Sequence, residues 1–188
     1  VNVAISRYGI EFIKDFQGHL GHDVGVPSLG FKENGYLFLA HSAEGAGLLA
    51  ELAEMQRGQG AATEVWTPVH TADRFPWLNT DDLTAASFGP RDEGWFDNMG
   101  LLAGFRAAAK AQGARFVTDE VTGITVQSGR VTGVTLGKGG HVACNTAVNA
   151  AGTRASVVAR MAGLDLPVEP RKRTVFVIDA PNARHPDA

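Results

Sequence analysis

Two alternating apolar runs, Val121 to Gln127 and Arg130 to Leu136, are separated by only Ser128-Gly129. A period of two reads as a half-buried strand, and a two-residue link ending in glycine reads as a tight hairpin. Gly137-Lys138-Gly139-Gly140 then turns the chain into a third run, His141 to Asn149. The spacing predicts a three-stranded antiparallel meander. Ala150-Ala151-Gly152 closes its last strand, and Thr153 caps a helix that ends before Gly163.

The first half is mixed. Ser6 is positioned to cap a helix carrying Ile10, Ile13 and Phe16, and Gly18 to Pro27 reads as a turn-rich loop. Gly35 to Ala40 is a short aromatic-rich strand. Leu48, Leu49, Leu52 and Met55 repeat at helical spacing up to Gly58 and Gly60. Val65-Trp66 is a brief strand, an irregular Pro-punctuated stretch follows it through Phe75-Pro76-Trp77-Leu78, and Leu83 to Phe88 is another strand. Asn98 caps a helix running to Gln112, with Gly113 just beyond its end. Ala114 to Val117 is expected to be a short strand, and Val168 to Asp179 a final one carrying Arg171-Lys172-Arg173.

Composition narrows the function classes. The chain has 188 residues, 44% hydrophobic and 20% charged, which excludes wholesale disorder. Seventeen basic against 20 acidic residues give a net charge of −3, so no broad basic face is implied and nucleic acid is excluded as the main partner. No apolar run approaches a membrane span, and no signal peptide opens the chain. The single Cys144 cannot form an internal disulfide, which points to a reducing, cytoplasmic setting. Val1 in place of Met and a polar tail from Pro181 to Ala188 suggest a piece of a longer protein.

Several motifs invite chemistry. Gly45-Ala46-Gly47-Leu48-Leu49-Ala50 matches a relaxed dinucleotide pattern, but Glu64 precedes the next strand instead of ending it, so a glycine-containing helix start is the better reading. His19, His22 and Asp23 are too few for a metal site, and no metal is expected. Cys144 has no activating base beside it and reads as a small buried side chain. The turn from Val148 to Thr153 is more informative. Its small residues allow a bulky ligand close to the backbone, and a helix start favours phosphate.

The succession Glu93-Gly94-Trp95-Phe96-Asp97, helix, Gly113-Ala114-Arg115-Phe116, meander, Val148-Asn149-Ala150-Ala151-Gly152 and Leu166-Pro167-Val168-Glu169-Pro170-Arg171 resembles the D-amino-acid oxidase family of FAD-dependent oxidoreductases, which includes glycine oxidase and sarcosine oxidase. Ser6-Arg7-Tyr8-Gly9-Ile10 and Gly35 to Ala40 also fit its bacterial members. The similarity covers essentially the whole chain, in order.

The resemblance implies an α+β and α/β molecule: an incomplete FAD-binding lobe with a β-meander, residues 1–20 and 98–163, and an antiparallel-sheet substrate lobe, residues 21–97 and 164–188. It implies oxidation of a C–N bond of a small amine or amino acid by hydride transfer to FAD, the flavin carrying the redox chemistry. Val121 matches the position whose backbone meets the adenine, and Asn149, Ala150, Ala151 and Gly152 match the turn beside the FAD phosphates and ribose. Many members have an aromatic residue just after that turn, where this chain has Arg154. The family's N-terminal G-x-G-x-x-G unit and its C-terminal section are absent, so FAD belongs to the parent protein and is expected to be missing from this chain alone. No catalytic residue is indicated. Arg171 and Arg173, on one face of the expected strand, are candidates for a substrate carboxylate. An exposed sheet edge suggests a homodimer. The competing class is a stand-alone, non-redox binding module of the same architecture.

Overall fold

The computed structural model describes residues 1–21, 25–26, 28–176 and 179, and within these the chain forms two compact units, Val1–Arg115 and Phe116–Asp179. The first unit opens with helices α1 (Asn2–Lys14) and α2 (Phe16–Leu20). Strand β1 (Leu37–Ala40), helix α3 (Ala43–Gly58) and strand β2 (Glu64–Trp66) follow. Helix α4 (Pro68–Arg74), strand β3 (Ala85–Phe88) and helix α5 (Asn98–Ala111) complete the unit.

β3 lies between β1 and β2 and is antiparallel to both, so α3 links two parallel strands across an intervening one. All four β3 residues, Ala85-Ala86-Ser87-Phe88, are buried. Small side chains suit a strand covered on both faces. On one side Trp66, Phe75, Ala86 and Phe88 form a core with Leu37 and Leu78 against it, the Trp66 and Phe88 rings 4.6 Å apart. On the other, Phe38, Ser87 and Val65 share a face by register, and Leu49, Leu52 and Ala53 of α3 meet Phe38 and Ser87 there.

A second core joins α1 and α2 to α5. Phe16, Val26 and Leu29 are buried, with Phe12, Ile13, Leu20, Phe96 and Leu101 packed around them. Gly104 makes this approach possible, because a Cβ there would lie 2.5 Å from the Phe16 ring. Gly94 has a similar constraint: Lys32 and Trp95 exchange backbone hydrogen bonds at 2.9 and 3.1 Å, and a Cβ on Gly94 would fall on the Lys32 carbonyl oxygen. Lys14 fastens α1 to these loops through ion pairs with Glu33, at 2.8 Å, and Asp92.

The second unit holds the meander β4 (Val121–Gln127), β5 (Arg130–Leu136) and β6 (His141–Ala143), then a 3₁₀ turn (Gly152–Arg154) and helix α6 (Ala155–Met161). The β4–β5 link has positive φ at both Ser128 (49°) and Gly129 (76°), the geometry that follows strand twist in a two-residue hairpin. Its large aliphatic side chains are not deeply buried: among the described residues of this unit, the buried hydrophobic side chain is Ala159, and Val148 is 86% exposed. Three strands and one short helix do not close a core.

The antiparallel sheets, the meander and the α5 helix stand as expected, and several boundaries differ. Nothing in Asn2-Val3-Ala4-Ile5 breaks a helix, so α1 begins four residues before Ser6, which lies inside it. Asp97, not Asn98, caps α5, its Oδ1 accepting from the Met99 and Gly100 amides at 3.0 and 2.9 Å; a carboxylate is the stronger acceptor at a positive helix end. Pro68 at the first position of α4, behind the cap Thr67, makes a helix where an irregular stretch was expected. β6 ends at Ala143 instead of Asn149; in its register with β5 residue 147 would already face the Ser128-Gly129 turn, so the pairing cannot reach Asn149. Thr153 sits within the 3₁₀ turn and caps nothing. Residues 114–117 and 168–176 are not strands. A strand needs a neighbouring backbone for its ladder, and Val175 and Phe176 are left 86% and 82% exposed. Val177 and Ile178 lie outside the described residues.

Candidate functional site

The second unit holds a cleft of about 840 Å³ between the meander and α6. Val121 and Ile124 of β4 and Val131 and Val134 of β5 form one wall; Val157, Val158 and Met161 of α6, with Leu164 and Leu166 beyond it, form the other. Ala147 to Ala151 run along it. The volume lies within the range of cofactor pockets.

Four of the five residues expected at a cofactor, Val121, Asn149, Ala150 and Ala151, come together on this lining. Gly152 stands just outside it, with φ 54° at the start of the 3₁₀ turn. Asn149 builds the turn: its Nδ2 donates to the Ala155 carbonyl at 2.8 Å, and its Oδ1 accepts from the Ala151 amide at 3.3 Å. Val121 is fixed by its neighbours, since Glu120 O accepts from the Gly137 amide at 2.7 Å and Lys138 Nζ donates to the Thr118 carbonyl at 2.9 Å. Among the described lining residues the charged groups are Asp119, Glu120, Asp165 and one cation, Arg154. Arg154 Nη1 lies 3.5 Å from Glu120 Oε1, both side chains 74% exposed.

Sequence reasoning missed the aliphatic wall from α6 and the stretch 164–166. The signal was present in Val157-Val158 and Leu164-x-Leu166, but only the fold turns these toward β4 and β5. Arg171 pairs with Glu169 at 2.8 Å in solvent, and neither Arg171 nor Arg173 belongs to the cleft lining. Gly45 and Gly47 lie inside α3, with Gly45 N donating to the capping Ser42 Oγ, and Glu64 accepts from Trp66 Nε1 at 2.7 Å. His19 stacks on Phe12, and no metal-binding group occurs among the described residues; His22 and Asp23 lie outside them. Cys144 is half-buried. In the first unit a small cleft of about 120 Å³ holds Glu93 beside Tyr36 and Phe38; burial raises the Glu93 pKa, partly offset by a hydrogen bond with the Tyr36 backbone.

An α+β chain with a β-meander and a small-residue turn along an apolar cleft is an architecture of flavin-dependent oxidoreductases. The family model described as DAO, FAD dependent oxidoreductase, matches residues 2–188, and the chain belongs to that family. It is 35% identical over 211 residues to FAD-dependent oxidoreductase domain-containing protein 1 of Xenopus laevis, covering 96% of this chain and 42% of that protein. It is 31% identical over 172 residues to the mitochondrial sarcosine dehydrogenase of Homo sapiens, covering 85% of this chain and 18% of that enzyme. Among solved structures, glycine oxidase from Geobacillus kaustophilus superposes with a TM-score of 0.72 at 26% identity, over 88% of this chain and 43% of that one. The chain thus spans about two fifths of the length of the first relatives it matches. No helix among the described residues is long and apolar enough to cross a membrane.

The chemistry of the cleft's donor set fits the adenosine end of FAD. Aliphatic walls suit a planar base, and a lining carboxylate such as Asp119 or Asp165 can accept from ribose hydroxyls. A pyrophosphate is served less well, with one cation against three carboxylates on the lining.

Proposed function

We propose that this chain is part of an FAD-dependent enzyme that oxidises a C–N bond of a small amine or amino acid. The observation carrying this reading is the meeting of Val121 with Asn149, Ala150 and Ala151 on one cleft, in a chain matched by the family model over residues 2–188. The names of two similar enzymes, sarcosine dehydrogenase and glycine oxidase, point to that substrate class. When bound, FAD supplies the hydride acceptor. In this assignment the Val121 backbone meets the adenine, the aliphatic walls exclude water from it, and Asn149 holds the turn that lets Ala150, Ala151 and Gly152 approach the ribose and phosphates.

Residues 1–20 and 98–163 are assigned to the FAD-binding lobe, and 21–97 with 164–188 to the substrate lobe. The packing of α1 and α2 on α5 supports joining 1–20 to the α5 segment, in a core that Val26, Leu29 and Phe96 of the other assignment also enter, and the β1-β3-β2 sheet lies within 37–88. The glycine-rich pyrophosphate unit and the substrate-orienting residues are assigned to the rest of the protein. Arg171 and Arg173 gain no support from their placement as carboxylate contacts. A reducing compartment such as the cytoplasm fits the single cysteine.

The test is anaerobic mixing of the flavin-loaded full-length protein with a panel of amino acids and N-methylated amines. Bleaching of the visible flavin band by one member supports the proposal. A flavoprotein that no member reduces, or a full-length protein that binds no flavin, refutes it.

A further inference from the structure

We infer that Arg154 is the group on this chain that reads the phosphate of the adenine dinucleotide, and that Glu120 holds it in reserve. This rests on the cofactor reading above. Arg154 is the one cation among the described residues of the cleft lining, and it stands three residues after Ala151, on the turn assigned to the nucleotide. Its backbone is fixed, the Arg154 amide donating to the Ala151 carbonyl at 3.0 Å. Its side chain is spent only weakly. The Glu120 contact is a single one of 3.5 Å between groups that are both 74% exposed, a geometry that water screens.

A phosphate offers what Glu120 does not in this arrangement: two oxygens that match the planar fork of the guanidinium at once. The exchange breaks one weak ion pair and forms a bidentate one. Asp119, Glu120 and Asp165 give the lining three negative charges, so an incoming diphosphate meets repulsion that, among the described lining residues, only Arg154 offsets. The two members of the pair therefore act with opposite sign. Arg154 favours a phosphorylated ligand, while Glu120 competes for the guanidinium and repels the same ligand.

The experiment uses the full-length protein stripped of flavin. Binding of FAD and ADP, with adenosine as the uncharged control, is measured by titration calorimetry for wild type, Arg154→Ala, Arg154→Lys and Glu120→Gln. Arg154→Ala is expected to weaken FAD and ADP about tenfold or more while adenosine is unchanged, a tenfold loss being ~1.4 kcal/mol. Arg154→Lys, which keeps the charge but loses the fork, falls between. Glu120→Gln tightens both phosphorylated ligands. The melting temperature of each stripped variant is recorded alongside, and no change is expected at these exposed positions. Equal affinity of Arg154→Ala and wild type for FAD overturns this inference and leaves the cofactor reading standing. A parallel loss for adenosine and ADP also overturns it, since the residue would then shape the cleft rather than read phosphate. Failure of the wild-type protein to bind FAD refutes the cofactor reading itself.

Discussion

The Asn149 side-chain amide spans the turn at the cleft, donating to the Ala155 carbonyl at 2.8 Å and accepting from the Ala151 amide at 3.3 Å. One side chain thus sets the path of three residues assigned to the cofactor. Asn149→Asp keeps the acceptor and loses the donor, and Asn149→Ala loses both. Each lost hydrogen bond costs about 1 kcal/mol, so urea unfolding should rank the variants wild type, Asp, Ala in falling stability. FAD affinity of the full-length protein should follow the same order. An Asn149→Ala variant with unchanged stability and affinity would show that the turn does not depend on this side chain.

Glycine substitutions separate the two readings of Gly45-Ala46-Gly47. A Cβ on Gly47 meets nothing within 4 Å, inside α3. Gly47→Ala should therefore stabilise the chain by about 0.5–1 kcal/mol. Were this a nucleotide loop, the same change would weaken FAD binding in the full-length protein. Gly94→Ala is the contrast, because its Cβ would fall on the Lys32 carbonyl. Forcing these backbones apart should cost about 1–3 kcal/mol. Chemical denaturation of the two variants beside wild type reads both signs.

The ion cluster around Lys14 gives a pH dependence. Hydrogen bonds to Asp92 and then Glu33 raise the Lys14 pKa, and the hydrogen bond to Lys14 lowers those of Glu33 and Asp92. A raised lysine contributes stability that is complete below its ordinary 10.5 and lost as pH rises through the folded value. The lowered carboxyls contribute stability that is complete above their ordinary 4.5 and 3.8 and lost as pH falls through the folded values. Lys14→Met should hence be less stable than wild type at neutral pH, by a modest amount because all three side chains are 39–49% exposed. The gap should narrow in acid and again at high pH. A gap that stays constant across that range would mean that Lys14 acts through packing instead.

How much of this was legible in the sequence differs by element. The β4–β5 hairpin was readable because its period and its Ser128-Gly129 turn are local facts. So was α5, from its spacing, although Asp97 took the cap from Asn98. The failures are non-local. Nothing within His141 to Asn149 reveals that β5 ends opposite it, and nothing within Val168 to Phe176 reveals whether a neighbouring backbone is at hand. The site followed the same rule. Val121 and the 149–151 turn are contiguous motifs and could be named from the family resemblance, whereas the wall from Val157, Val158 and Leu164 exists only after α6 folds back toward β4.

The last prediction is that this chain alone folds without retaining FAD and associates with itself. Its cleft suits adenosine but sets one cation against three carboxylates, so the pyrophosphate is poorly held and much of the flavin gains no contact from the described walls. Such partial capture does not offset the cost of immobilising a large flexible ligand. Meanwhile β1 is an edge strand of its sheet, with Phe38 58% exposed beside Tyr36, a template for another strand. Gel filtration of the purified chain after incubation with FAD tests both statements at once. The protein peak should carry little visible flavin absorbance and should elute larger than a monomer, and Phe38→Lys, placing a charge on that edge, should shift it toward the monomer. Stoichiometric flavin in the peak would refute the first statement and show that the described cleft suffices for the cofactor. A monomeric peak at every concentration would refute the second.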